Sequence, residues 1–256
     1  MKVAILAGGL GTRLSEETTV KPKPMVEIGG KPILWHIMKI YAAYGFKEFV
    51  IALGYRGELI KDYFINYHHR ARNLTVQLKN GEISVHEGES EDWTVHLLDT
   101  GAETNTGGRV KRLAEFIGAE PFMLTYGDGV SNINIPKLIE FHQMQKRLAT
   151  LTAVRPPARF GQMVLDDGRV TEFKEKPQIG EGWINGGFFI LQPEVVNYIE
   201  GDHTAWEFES LEKIAADNQL SAYQHEGFWQ SMDTLRDVNV LEKFWREGNA
   251  PWKVWN

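Results

Sequence analysis

Residues 1–33 read MKVAILAGGLGTRLSEETTVKPKPMVEIGGKPI, and the fold turns on how this stretch is read. Lys2 to Ala7 is a continuous apolar run, the pattern of a strand buried on both faces of a parallel sheet. It passes directly into Gly8, Gly9, Leu10, Gly11, Thr12 and Arg13. A glycine-rich turn there lies at the strand's carboxyl end, where open α/β sheets bind ligands. Glycine lets the backbone approach a ligand closely, so its N–H groups can cradle phosphate oxygens. Arg13 adds a planar fork suited to phosphate, and Lys23 adds a mobile point charge. The loop is neither of two familiar phosphate loops. Leu14 stands where the dinucleotide fingerprint needs its last glycine, and no lysine follows the glycines at Walker A spacing. The plainer alternative is a tight connection with incidental cations.

Working outward, Pro32 opens an amphipathic stretch with Ile33, Ile37, Ile40 and Tyr41 at helical spacing, ended by Gly45. Glu48 to Leu53 reads as a second buried strand and Gly57 to Tyr67 as a helix, which makes a βαβ unit with a right-handed crossover. Leu74 to Leu98 has no helical period; it predicts a small excursion before the sheet resumes near Thr94. Further on, Val110–Phe116 and Ile135–Lys146 read as helices, and Pro121–Tyr126 and Leu148–Val154 as strands. Met163–Leu165 and Val170–Phe173 flank Asp166-Asp167-Gly168, a hairpin signal. Gly186–Leu191 reads as a strand, with helices over Glu207–Asp217 and Thr234–Arg246. The expected fold is α/β: a Rossmann-like, mostly parallel mixed sheet flanked by helices, with a β-rich second half. One domain over 1–256 is expected, with a first part of about 1–130 and a second of about 131–256.

The bulk numbers narrow the function classes. A chain of 256 residues, 43% hydrophobic and 24% charged, can bury a substantial core. Net charge is −6 with the two signs interspersed, which argues against a nucleic-acid binder. There is no cysteine, so disulfides, thiolate catalysis and Cys-ligated zinc are excluded. No apolar stretch approaches the ~18 residues of a membrane span; a cytoplasmic protein without membrane attachment is expected. The eight histidines show no metal-ligand spacing, and the tryptophans of the C-terminal end suggest a core or a subunit contact, the latter favoured for Trp252 and Trp255.

Two further positions carry chemistry. Asp128 ends a buried strand within Gly127-Asp128-Gly129. Beside a phosphate loop a carboxylate there can hold Mg²⁺, although a turn aspartate often only satisfies its own backbone. Asp233 precedes the last long helix and, taken alone, reads as its N-cap.

Leu6-Ala7-Gly8-Gly9-Leu10-Gly11-Thr12-Arg13 followed by Lys23-Pro24-Met25-Val26 resembles the signature of the sugar-1-phosphate nucleotidylyltransferases. The likeness continues through Gly127-Asp128-Gly129, Glu175-Lys176-Pro177, Gly186-Gly187 and Asp233, over nearly the whole chain. Asp99 to Arg109 (DTGAETNTGGR) is similar to the branch of that family that joins CTP to glucose 1-phosphate. The resemblance implies two metal ligands, Asp128 and Asp233, with Mg²⁺ as cofactor. It implies a sugar-phosphate site of Gly161, Glu175, Lys176, Gly186 and Gly187, in which Lys176 holds the phosphate and Glu175 the sugar hydroxyls; Phe160-Gly161 resembles the family's aromatic-glycine pair. A solvated charge run is the local alternative for Glu175-Lys176. Arg13, Lys23, Asp128, Lys176 and Asp233 are the expected catalytic set. Thr104, Gly107 and Arg109, with backbone of Leu6, Ala7 and Gly8, are expected to read the cytosine, and Gly9, Gly11 and Thr12 to wrap the nucleotide; a phosphate contact or a cap of the following helix region are the alternatives for Arg109. A homo-oligomer, tetramer or hexamer, is also implied. Another NDP-sugar pyrophosphorylase, using UTP or dTTP, stays open, as do two rival classes: a dehydrogenase with an aberrant dinucleotide loop, and a non-catalytic nucleotide-sugar sensor.

Overall fold

The structure is a computed structural model that describes residues 1–9, 21–88, 90–156, 162–167, 169–174 and 182–255. Strand β1 (Val3–Leu6) is followed by a small hairpin, β2 (Glu27–Ile28) with β3 (Lys31–Pro32). Helix α1 (Ile33–Ala42), β4 (Glu48–Leu53), α2 (Gly57–Ile65) and the single turn α3 (Tyr67–Arg70) come next. The excursion is a hairpin, β5 (Leu74–Gln77) with β6 (Glu82–Val85), before β7 (Thr94–Asp99). Then follow α4 (Thr106–Ile117), β8 (Phe122–Tyr126), β9 (Gly129–Ser131), α5 (Ile135–Gln145) and β10 (Ala149–Val154). The predicted hairpin is β11 (Gln162–Asp166) with β12 (Arg169–Lys174). The chain closes with β13 (Ile184–Asn185), β14 (Phe189–Leu191), a π-turn at Trp206–Ser210, α6 (Leu211–Ala216), β15 (Leu220–His225), β16 (Trp229–Ser231) and α7 (Leu235–Arg246).

Eight of these strands form one mixed sheet in the order β13-β10-β14-β8-β1-β4-β7, with β15 also paired to β10. The pairs β8–β1, β1–β4, β4–β7 and β10–β15 are parallel; β14 runs antiparallel to both β8 and β10. The apolar runs read as two-sided strands are that: every residue of β1 is buried, and so is β4 from Phe49 onward. One face of the sheet packs on α1, whose Ile33, Ile37, Ile40 and Tyr41 are buried. The other packs on α4 through Val110, Leu113, Ala114 and Ile117, and on Trp206 of the π-turn.

From β1 the chain moves outward to β4 and β7, then returns to place β8 on the other side of β1. The strand order therefore switches direction between β1 and β8. Ligands of open α/β sheets bind in the crevice at such a switch, off the carboxyl ends of the strands. Gly8 and Gly9 follow β1, and Gly127-Asp128 follow β8, so both motifs open into it.

The tail departs from expectation. Trp252 is fully buried against its own chain, stacked on Trp245 and Phe228 and close to His36 of α1, while Trp255 lies edge-on to Trp35. These rings are spent on an intrachain contact because α1 presents Trp35 and His36 to them. The strand read at Gly186–Leu191 begins only at Phe189, since Gly187 takes a left-handed φ of 75° that interrupts the pairing.

Candidate active site

Lys23 begins a 3₁₀ turn, Lys23–Met25, between Pro22 and Pro24. Proline fixes φ, so the turn is stiff on both sides of the lysine. It packs against the sheet: a Cβ on Gly127 would lie 2.8 Å from Leu6 O and 3.0 Å from Pro24 Cγ. Only glycine fits between β1 and the Lys23 turn, and the Gly127 N–H donates to Leu6 O at 3.0 Å. This contact sets Asp128 beside Lys23.

Asp233 reaches the same point by another route. Strands β9 and β16 pair antiparallel, Gly129 against Ser231, and the Met232 N–H donates to Asp128 O at 2.8 Å. The ribbon lays residue 233 next to residue 128. The helix cap falls to the next residue: Thr234 accepts from the Asp237 N–H, and Asp237 reciprocates in a capping box. Asp233 is thus not the N-cap, and its side chain is turned to the crevice instead.

The Lys23 ammonium donates to Asp128 Oδ2 at 2.6 Å and to Asp233 Oδ1 at 2.8 Å. Its side chain is 12% exposed. Burial alone would lower the lysine pKa, and this is the largest single influence on it. The two carboxylates together outweigh it, and the net direction is upward, so the lysine is firmly charged at neutral pH. Two neighbouring carboxylates aimed at one cation are a fit for a divalent ion. No cluster of three or more His, Cys, Asp or Glu that could hold a metal occurs among the described residues. Such a pair suits Mg²⁺, which is held by one or two carboxylates plus substrate phosphates and water.

Gly8 and Arg109 form the floor on the other side of β1. The Arg109 guanidinium is buried and donates to Leu53 O at 2.9 Å, Thr100 Oγ1 at 2.6 Å and Ala102 O at 3.3 Å. It lies directly under Gly8, where any side chain would collide with it. Burial pulls its pKa down and Asp99 and Asp202 partly restore it. Thr104, also buried, precedes α4 and packs against Gly101 and Gly108. Gly107 needs a correction. Its N–H donates to Thr204 O at 2.9 Å, and a Cβ there would lie 2.6 Å from that oxygen. The glycine permits α4 to dock on residues 202–204, and its N–H is not open to a base.

Beyond β13, Gly186 and Gly187 are both buried. The Trp229 indole donates to Gly186 O at 2.8 Å, and the Gly187 N–H donates to Asn185 Oδ1 at 2.9 Å. Asn185 in turn donates to the Tyr126 hydroxyl at 3.1 Å. Burial pushes the Tyr126 pKa up, reinforced by a hydrogen bond to the Glu207 carboxylate. Glu207 also accepts from Thr106 Oγ1 at 2.7 Å. The chain Thr106–Glu207–Tyr126–Asn185 therefore ties the start of α4 to the Gly187 turn. Thr106 falls within the Asp99–Arg109 stretch, whereas nothing in the sequence singles out the other three: Tyr126 reads as the end of a strand and Glu207 as the start of a helix. Gly11, Thr12, Arg13, Gly161, Glu175 and Lys176 lie outside the described residues.

The nucleotidyl transferase family matches residues 2–246 of the chain. The chain belongs to that family. Its glucose-1-phosphate cytidylyltransferase relative from Salmonella typhi is 53% identical over 256 residues, the full length of both proteins. The probable glucose-1-phosphate cytidylyltransferase of Bacillus subtilis is 46% identical, again over the full length of both. Among solved structures, HddC from Yersinia pseudotuberculosis in complex with GMP-PN superposes with a TM-score of 0.70 at 25% identity, covering 95% of this chain and 99% of that one. A mixed, mostly parallel sheet with flanking helices is thus the architecture of an enzyme that transfers nucleotidyl groups. No helix among the described residues is long and apolar enough to cross a membrane.

Proposed function

We propose that the protein transfers a cytidylyl group from CTP to α-D-glucose 1-phosphate, giving CDP-glucose and pyrophosphate. The observation that carries the transfer chemistry is the meeting of Lys23, Asp128 and Asp233 at the switch point between β1 and β8. The choice of CTP and glucose 1-phosphate is supported by the names of relatives 53% and 46% identical over their full length.

The sugar-phosphate oxygen attacks the α-phosphorus of CTP, and pyrophosphate leaves in line. That oxygen is already ionised at neutral pH, so the protein needs no general base. Its contribution is alignment and charge neutralisation. Asp128 and Asp233 would hold Mg²⁺, which supplies positive charge shared between the two phosphates. Lys23 serves the α-phosphate, Arg13 the departing pyrophosphate and Lys176 the attacking phosphate. The backbone of Leu6, Ala7 and Gly8, with Thr104 and Arg109 beneath, faces the base; Gly9, Gly11 and Thr12 wrap the phosphates. Gly161, Glu175, Gly186 and Gly187 hold the sugar. In this reading residues 1–130 serve the nucleotide and 131–256 the sugar.

We place the protein in the cytoplasm, where nucleoside triphosphates are made, and as a homo-oligomer. Support for self-association comes from the β5–β6 hairpin, which leaves Leu74, Val76, Leu78 and Ile83 exposed. Light scattering tests it: a single-chain mass would end that part of the proposal.

The central test is pyrophosphate release with CTP, UTP, dTTP, ATP and GTP against several sugar 1-phosphates. CTP with glucose 1-phosphate should exceed other pairs by orders of magnitude, since a site built around a substrate hydrogen bond rejects the mismatched base by roughly 10⁴-fold. Equal use of UTP or dTTP would refute the base assignment and leave nucleotidyl transfer standing. NAD(P)H turnover without pyrophosphate release would instead favour a dehydrogenase.

A further inference from the structure

Lys23 presents a conflict. The transfer reaction wants its ammonium on the α-phosphate and wants Asp128 and Asp233 on a metal. The structure has all three groups on one another, with the nitrogen 2.6 Å and 2.8 Å from the two carboxylates. The lysine thus sits between the two oxygens that a divalent ion would share. Both arrangements cannot hold at once.

We propose that the Lys23 ammonium is the resident cation of the Asp128–Asp233 pair in the free protein, and that it excludes divalent metal until a nucleotide draws it away. The proposal rests on the reading of that pair as the metal site.

Three features carry it. Two carboxylates converging in a half-buried crevice repel each other unless a cation lies between them, and Lys23 is that cation. Among the described residues a metal arriving alone finds this pair and no cluster of three or more acidic or histidine ligands. The two carboxylates must then give up a charged, hydrogen-bonded amine before they can hold the ion. Third, the lysine can leave without disturbing the fold. Its backbone is fixed by Pro22, Pro24 and the Val26 N–H to Lys23 O bond of 3.1 Å, while its side chain is a four-carbon stem with a rotatable charge. Nucleotide phosphates held by the glycine loop offer that charge a new anion and bring oxygen ligands for the metal. The ammonium moves from carboxylates to phosphate, and the metal takes the position it held. Metal and nucleotide then bind with positive coupling, each strengthening the other.

Mn²⁺ is the probe, followed by electron paramagnetic resonance on protein free of nucleotide. Wild type should show no tight site. Lys23→Met and Lys23→Gln, each checked for folding by circular dichroism, should bind one Mn²⁺ roughly 10- to 100-fold more tightly, the usual span of a coupling between competing contacts. Mg²⁺ should raise the melting temperature of both variants and leave nucleotide-free wild type unmoved. Adding Asp128→Asn to either variant should abolish the new site.

Tight one-site Mn²⁺ binding by nucleotide-free wild type, lost in Asp128→Asn, overturns the proposal whatever the lysine variants do. So does a failure of both folded variants to gain Mn²⁺ affinity. The cytidylyl assignment is judged separately, by pyrophosphate release from wild type. It can fail with the lysine exchange intact, and the exchange can fail while CTP is still consumed.

Discussion

The His36 imidazole makes the protein's stability fall in mild acid, by an amount the structure sets. The ring is fully buried in α1 among Trp35, Trp245, Trp252 and Trp255. Nε2 lies 2.8 Å from Ile28 O, so that nitrogen carries the proton and donates it. The Trp252 indole N–H donates to Nδ1 at 3.4 Å. A second proton, on Nδ1, would face that N–H head-on. Burial, only partly offset by the Ile28 carbonyl and Glu242 and assisted by Lys31, lowers the pKa to about 4 from 6.5. Between those values the unfolded chain binds a proton that the folded chain does not. The contribution is therefore complete above about pH 6.5 and is lost as pH falls toward about 4. Taking pH 7 to pH 5, linkage gives a loss of about 2 kcal/mol from this one group. Burial also lowers the pKa values of His142 and His225, so wild type should lose more than this in total. His36→Gln keeps a donor for Ile28 O and removes the titration. Urea unfolding of both proteins at the two pH values isolates the term. The variant should be less stable at pH 7 by about 1–3 kcal/mol and show a pH loss about 2 kcal/mol smaller than wild type. An equal pH loss in both would refute the assignment.

At the active site, Asp128→Asn should lower kcat by roughly 10²-fold or more while the protein stays folded, the scale of losing one key electrostatic contact; turnover close to wild type at saturating Mg²⁺ would remove Asp128 from the metal. Gly8→Ala drives a methyl group into the Arg109 guanidinium, and overpacking there should cost about 1–3 kcal/mol of unfolding free energy and raise the KM for CTP; a melting curve and a CTP titration read both. Tyr126→Phe releases Asn185 from its hydrogen-bonded partner and leaves the Glu207 carboxylate short of one donor, so the KM for glucose 1-phosphate should rise more than that for CTP, as initial-rate kinetics will show.

What could be read from the letters was what short-range pattern controls. The two-sided strands over Val3–Leu6, Glu48–Leu53 and Phe122–Tyr126 are apolar at their buried positions, Thr125 apart, and the helix from Ile33 repeats at helical spacing. The late strands were missed for the same reason. Leu220–His225 (LSAYQH) is half polar because it lies outside β10, and Trp229–Ser231 is three residues long and exists only by pairing with Gly129–Ser131. Likewise, Asp128 and Asp233 were each visible beside a strand or helix end, but their union depends on that distant pairing. Gly107 misled because its local setting, a glycine beside a helix start, is the same whether the neighbour is a ligand or, as here, the Thr204 carbonyl. Nothing in the neighbouring residues marks Thr204 as the partner.

The β9–β16 ribbon also dictates when during synthesis the Lys23–Asp128–Asp233 cluster can form. Lys23 and Asp128 can meet as soon as β1 and β8 pair, with about half of the chain made. The second carboxylate is 105 residues further on, and it is delivered only when β16 finds β9. Closing so long a loop costs entropy that nothing local repays. A growing chain on the ribosome can therefore hold most of the sheet, yet it lacks half of the acidic pair until translation is nearly done. A chain that ends before Trp229 holds Lys23 and one carboxylate and never the pair.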